Sequence, residues 1–122
     1  MKTLPIYISK AKIQHFCQQH SIRKLSLFGS VLREDFTDQS DVDVLVEFLP
    51  EKTPGLAIVR MADELSDLFG RTVDLRTPRD LSRYFRDRVL EEAMLIYEHE
   101  DLNAEAVKLA AEIAKNFEEL GV

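Results

Sequence analysis

Cysteine and long apolar runs are scarce in this sequence of 122 residues, and each scarcity excludes a class of protein. Cys17 is the only cysteine, so the chain has neither a disulfide framework nor a cysteine-built zinc site. No segment approaches the roughly 18 consecutive apolar residues of a membrane-spanning helix, and residues 1–10 lack the apolar stretch of a signal peptide. We therefore expect a cytoplasmic protein that does not associate with membranes.

Positive charge is also in short supply. The 16 Lys and Arg residues are outnumbered by 22 Asp and Glu, and the net charge is −6. Because nucleic-acid binders are usually basic, we expect no general nucleic-acid binding. An apolar content of 45% and a length of 122 residues fit one globular domain with one core. We assign residues 1–98 to the body of this domain and residues 99–122 to a C-terminal helical extension.

Helix and strand patterns alternate along the chain. Apolar spacing and end signals predict helices at residues 9–20, 56–69, 77–92 (with a break near Ser82) and 101–120. Short apolar or alternating runs predict strands at residues 24–28, 41–48, 72–76 and 94–97. This order predicts an α/β domain in which one sheet is covered by helices. The last helix could dock on its own core or pair with another chain.

Three aspartates stand on predicted strands where their side chains can converge. Strand alternation places Asp41 and Asp43 on one face, about 6.6 Å apart, and Asp74 on the polar face of its own strand. Two bare carboxylates at that distance repel by roughly 2–3 kcal/mol at an effective dielectric constant of 20. A divalent cation with oxygen ligands removes that repulsion, so three converging carboxylates form the ligand set of a two-metal phosphoryl-transfer site. The alternative is a solvated turn after residues 37–40, which the apolar alternation Val42, Val44, Val46 disfavours.

Gly29 and Ser30 end the first predicted strand ten residues before Asp41. A strand that turns abruptly into a helix leaves backbone N–H groups unpaired, and glycine lets a ligand approach them closely. Such a corner suits the terminal phosphates of a triphosphate, to which Arg33 could add a charge-assisted contact. Taken alone, the same dipeptide fits a plain strand-to-helix turn capped by Ser30.

Six arginines crowd a short stretch near the third aspartate: Arg71, Arg76, Arg79, Arg83, Arg86 and Arg88. Arg79, Arg83 and Arg86 would share one face of the predicted helix, as a binding patch or as an ordinary solvated face. Arg76 differs because strand alternation places it on the same side as Asp74. It is the candidate for a contact with phosphate or with a partner.

These residues together resemble the signature of the DNA polymerase beta-like nucleotidyltransferase superfamily. The resemblance consists of Gly29-Ser30, the ten-residue spacer, Asp41-Val42-Asp43 and the later Val73-Asp74-Leu75. The short chain and the run Leu27-Phe28-Gly29-Ser30-Val31-Leu32-Arg33 are similar to its minimal nucleotidyltransferase branch. Two departures stand out: Leu32-Arg33-Glu34 replaces a frequent Ala-Arg-Gly, and the segment from Asp101 onward extends beyond the resemblance, which covers residues 22–98.

The resemblance implies a nucleotidyltransferase fold, with a small mixed sheet flanked by helices, and an activity. Asp41, Asp43 and Asp74 would hold two Mg²⁺ ions, while Gly29, Ser30 and Arg33 would bind ATP. The branch includes antitoxins of HEPN-type RNase toxins, some of which attach AMP to a toxin tyrosine. We therefore expect a protein adenylyltransferase that forms a hetero-oligomer with such a toxin. A non-catalytic antitoxin that acts by binding, and a nucleotidyltransferase for small drug-like molecules, are the alternatives.

Overall fold

Four strands and three α-helices make up the part of the chain that the computed structural model describes, residues 4–52 and 54–99. In chain order they are α1 (Lys10–Gln19), β1 (Ile22–Phe28), β2 (Val42–Phe48), α2 (Ile58–Phe69), β3 (Val73–Arg76), α3 (Arg86–Glu92) and β4 (Met94–Glu98). Short 3₁₀ turns occupy Gly29–Leu32, Gly55–Ala57 and Pro78–Asp80. The helix predicted for residues 101–120 lies outside the described residues.

The strands form one mixed sheet in the order β3-β2-β1-β4. β1 pairs in antiparallel fashion with both β2 and β4, whereas β2 and β3 are parallel. The parallel pair is possible because α2 carries the chain from the end of β2 back to the start of β3, as in a βαβ unit. The predicted mixed sheet with flanking helices is therefore confirmed.

One face of the sheet carries the core. Val42, Val44 and Val46 of β2 are fully buried there, as their alternation predicted. Antiparallel register places Leu25 and Leu27 of β1 beside them. Helices α1 and α2 complete the core with Ile13, Phe16, Cys17, Met61, Leu65 and Phe69. The opposite face of the sheet is therefore the one on which polar side chains of β2 and β3 can meet a ligand.

The ends of the first two helices agree with their sequence signals. Ser9 Oγ accepts a hydrogen bond from the backbone N–H of Lys12 at the start of α1. Gly70 ends α2 in the left-handed conformation, with φ of 66°. Among residues 4–52 and 54–99, no helix is long and apolar enough to cross a membrane.

The helix predicted for residues 77–92 is wrong over its first half. A single 3₁₀ turn at Pro78–Asp80 is followed by an irregular segment, and α3 begins only at Arg86. Asp80 Oδ2 accepts hydrogen bonds from the Thr77 N–H and hydroxyl at 2.9 and 3.1 Å, and Ser82 Oγ accepts one from the Tyr84 N–H. These local side-chain bonds satisfy backbone groups outside a helix. The arginines of this segment consequently do not share one helical face.

Candidate active site

The first two predicted metal ligands lie at the start of β2. Asp41 immediately precedes the strand, and Asp43 is its second residue, on the face opposite the core. Parallel register pairs Asp43 with Asp74 of β3, so these two residues are direct neighbours across the ladder. The structure thus places Asp43 and Asp74 side by side on one face of the sheet, and Asp41 lies close enough for its charge to act on Asp43.

Asp43 lies at the centre of this group. Its burial, followed by the negative charges of Asp74 and Asp41, raises the pKa of its carboxyl above the ordinary value of 3.8. The positive charges of Arg33 and Arg76 act in the opposite direction. Four charged residues from three segments therefore act on the carboxylate of Asp43, and a bound cation would relieve the repulsion among the three aspartates.

Gly29 touches the same carboxylate. Its φ is +73°, a conformation that other residues rarely adopt, and a Cβ built on it would collide with the carboxylate of Asp43. The register explains the closeness, because Phe28 is the β1 partner of Asp43. A phosphate bound at Gly29 would therefore lie beside the proposed metal ligands.

The turn that follows Gly29 differs from the expected α-helix start. Gly29–Leu32 is one 3₁₀ turn, closed by the Arg33 N–H donating to the Ser30 carbonyl at 2.9 Å. No side-chain hydrogen bond caps this turn, so Ser30 is not the helix cap of the alternative interpretation. The exposed Arg33 donates to Asp35 at 3.3 Å, so this carboxylate competes with phosphate for the guanidinium.

Arg76 is bound to Asp74. Its Nε and Nη2 donate to the two carboxylate oxygens at 3.0 and 3.3 Å. Within the described ranges, no three His, Cys, Asp or Glu side chains are gathered closely enough to hold a metal ion as they stand. The three aspartates are thus neighbours, but Asp74 directs its oxygens to a guanidinium rather than to a point shared with Asp41 and Asp43.

Arg71 has a role that sequence reasoning missed, because we had grouped it with the arginine patch. One of its nitrogens, Nη2, donates to the carbonyls of Thr37 and Ser40 at 2.7 and 2.8 Å. Its guanidinium also lies 4.6 Å from the ring centroid of Phe36. Arg71 therefore fixes the turn immediately before Asp41.

Two cavities adjoin the Gly29 turn, and one of them, of about 390 Å³, is lined in part by Leu32 and Arg33. The other, of about 300 Å³, lies between the Gly29 turn and α3, lined by Phe28, Gly29, Leu32, Arg33, Val89 and Glu92. A larger cavity of about 520 Å³ lies between α1 and α2 and includes His15, Phe16 and Leu68. Because those helices cover the core face, the larger cavity is remote from the aspartates.

Comparisons with a family model and with individual relatives indicate the same family. Residues 11–102 match the family described as polymerase beta, nucleotidyltransferase. The chain is 36% identical to a candidate protein adenylyltransferase of Methanocaldococcus jannaschii over 85 residues, which cover 70% of this chain and 90% of that protein. It is 31% identical to protein adenylyltransferase MntA of Thermococcus cleftensis over 80 residues, covering 65% and 79% of the two chains.

Solved structures show the same architecture. A candidate minimal nucleotidyltransferase superposes with a TM-score of 0.59 at 33% identity, covering 70% of this chain and 86% of that one. A chain of a toxin–antitoxin complex with AMP-PNP gives 0.61 at 21% identity, with 92% of both chains covered. A chain of the complex between a tri-AMPylated Shewanella oneidensis HEPN toxin and its MNT antitoxin gives 0.53 at 18% identity, covering 91% and 85%. At these identities the last two establish a shared fold.

Proposed function

The chain belongs to the polymerase beta nucleotidyltransferase family, and on that basis we propose that it transfers AMP from ATP to a tyrosine of a cognate HEPN-type RNase toxin. Its relatives at 36% and 31% identity carry the name protein adenylyltransferase. Chains of similar fold occur in complexes with a HEPN toxin and with AMP-PNP. The protein would act as an antitoxin in the cytoplasm, where ATP is available.

The observation that carries the proposal is the contact between Gly29 and Asp43. Phosphoryl transfer asks the protein mainly to position the triphosphate and to neutralise its charge. The Gly29 turn supplies a close backbone approach for phosphates, and the neighbouring aspartates supply hard oxygen ligands for a divalent cation. Since these two parts touch, one bound ATP could engage both.

Asp41, Asp43 and Asp74 fit Mg²⁺ in their chemistry, because all three supply carboxylate oxygens. Burial and the charges of Asp74 and Asp41 raise the pKa of the Asp43 carboxyl, and a bound cation would oppose that effect. Mg²⁺ bound there would neutralise phosphate charge and lower the pKa of the acceptor hydroxyl. The three side chains have to converge for this, and Asp74 must then release Arg76. The cation binding and the convergence of the triad are part of the proposal.

The residues of the Gly29 turn would bind the phosphates that leave as pyrophosphate. Gly29 and Ser30 would bind the β- and γ-phosphates, and Arg33 would leave Asp35 and donate to a phosphate oxygen instead.

In the transfer step the tyrosine oxygen attacks the α-phosphorus and forms a new P–O bond, while the bond between the α-phosphorus and the oxygen that bridges it to the β-phosphorus breaks. Pyrophosphate leaves with that oxygen, and the tyrosine proton passes to solvent.

The shape of the site favours a macromolecular acceptor. The two cavities beside the Gly29 turn, of about 300 and 390 Å³, both lie near the lower limit for enclosing a drug-sized ligand. A tyrosine presented by another protein needs no enclosing pocket in this chain, because its own fold supplies the positioning. An AMP adduct on that tyrosine would add negative charge and bulk where an RNase must bind RNA.

The decisive experiment is the intact mass of the toxin co-expressed with this protein. Wild type and the charge-matched control Asp63→Asn, on the exposed surface of α2, should both yield toxin carrying AMP increments. Asp43→Asn should yield unmodified toxin. Unmodified toxin in every case, with toxicity still neutralised, would replace the proposal with inhibition by binding alone. Transfer of label from ATP to small hydroxyl compounds instead would favour the small-molecule reaction.

A further inference from the structure

The guanidinium of Arg76 occupies one of the three carboxylates that metal binding requires. It engages both oxygens of Asp74, through Nε at 3.0 Å and Nη2 at 3.3 Å. A divalent cation at Asp74 would draw on the electron density of the same two oxygens and would repel the guanidinium. Cation binding at Asp74 and the Asp74–Arg76 pair therefore oppose each other.

The pair is weak enough to exchange. The side chains of Arg76 and Asp74 are 49% and 39% exposed, so water and salt screen their attraction. A triphosphate offers the guanidinium a better partner, because phosphate oxygens carry more charge and accept the same two-pronged hydrogen bonding. Arg76 shares the sheet face of Asp43 and Asp74, where we place the triphosphate.

We propose that Arg76 is a positioning residue that holds Asp74 in the metal-free enzyme and passes to the triphosphate when metal-bound ATP arrives. The inference rests on the proposed function, since it takes ATP and a divalent cation as the ligands. This exchange makes nucleotide and metal bind cooperatively. Metal bound to Asp74 releases Arg76 for the triphosphate, and a triphosphate bound to Arg76 releases Asp74 for the metal. The complete metal site then forms only around its substrate.

The test compares Arg76→Gln with Arg79→Gln. Both remove one positive charge, but Arg79 forms no ion pair within the described part of the chain. Mn²⁺ serves as the probe, followed by electron paramagnetic resonance with and without a non-hydrolysable ATP analogue. Without nucleotide, Arg76→Gln should bind Mn²⁺ about two- to fivefold more tightly than Arg79→Gln, the scale of an exposed ion pair. The same variant should bind the analogue about tenfold more weakly, because it lacks a charge-assisted phosphate contact.

Opposite changes in the two affinities are the signature of the exchange. A general structural defect would weaken both, so that outcome would overturn the inference. Equal Mn²⁺ affinity in the two variants, or unchanged affinity for the analogue in Arg76→Gln, would overturn it as well. These binding measurements need no acceptor, so the inference can fail while labelled AMP still reaches the toxin. Loss of labelling in wild type, with the Mn²⁺ pattern intact, would count against the tyrosine acceptor alone.

Discussion

Replacing Gly29 by alanine tests the contact on which the candidate site depends. The chain offers a matched control in Gly70, whose φ of +66° is close to the +73° of Gly29. An alanine at either position must adopt the left-handed conformation, which costs about 1–2 kcal/mol. The new Cβ differs in its surroundings: it has nothing within 4 Å at residue 70, whereas at residue 29 it meets the carboxylate of Asp43.

The two variants should therefore lose similar stability and very different amounts of activity. A loss of 1–2 kcal/mol lowers the melting temperature by roughly 3–10 °C in a domain of this size. In Gly29→Ala the carboxylate of Asp43 must also turn away, because its backbone is fixed between β1 and β3. A misplacement of about 1 Å in a reacting group can cost about 100-fold in rate.

Thermal melting and transfer of label from ATP measure the two quantities. We expect Gly70→Ala to stay within about twofold of wild type in rate, and Gly29→Ala to fall about 100-fold. Equal rates in the two variants would refute the reasoning, since they would show that the position of Asp43 relative to the Gly29 turn is irrelevant to the reaction. The melting temperatures show whether a lower rate reflects a loss of folded protein rather than a displaced Asp43 carboxylate.

Four further predictions follow from side chains around the site and in the core. Asp43→Asn should abolish transfer yet have a slightly higher melting temperature than wild type in EDTA at pH 7. Burial and the charges of Asp74 and Asp41 raise the pKa of the Asp43 carboxyl, so its charged form destabilises the fold. The difference in melting temperature should disappear below about pH 3.8, where this carboxyl is protonated in both the folded and the unfolded protein. Ser30→Ala should weaken use of ATP by about 1–3 kcal/mol, and an unchanged KM for ATP would remove Ser30 from the phosphate site. Arg71→Gln should lower stability by about 1–3 kcal/mol in urea unfolding and also lower kcat, since the turn before Asp41 loses two hydrogen bonds. Burial raises the pKa of the Cys17 thiol to about 12, so a thiol reagent at pH 8 should label it only after unfolding; rapid labelling of the native protein would contradict the buried position.

Much of the sheet could be predicted because its signals are local. Alternation at Val42, Val44 and Val46 fixed which face of β2 is buried, and therefore which way Asp43 points. Spacing could not show that a Cβ at Gly29 would meet the Asp43 carboxylate, since that depends on the register between β1 and β2. The sequence likewise indicated three aspartates on polar faces, whereas only the parallel pairing of β2 with β3 makes Asp74 a neighbour.

The errors arose where side chains compete for backbone groups. A proline start and arginines at helical spacing predicted a helix from Thr77, but Asp80 and Ser82 bind nearby N–H groups and keep the chain irregular up to Arg86. The contacts of Arg71 with the turn before Asp41 were not predicted either. The carbonyl partners of this arginine are more than thirty residues away in sequence, and composition carries no information about such distant contacts.

The sheet order has a consequence for how such a protein can diversify. Every residue proposed for chemistry lies on β2, β3 or the turns that lead into and out of β1 and β2, while β4 forms the opposite edge and carries the exposed Met94 and Leu95. Substitutions of Met94 and Leu95 therefore alter the outer surface without displacing an aspartate, whereas Ile96 and Tyr97 of the same strand pack against the core. Descendants of one ancestral gene could acquire new partners at that edge while inheriting an unchanged reaction centre.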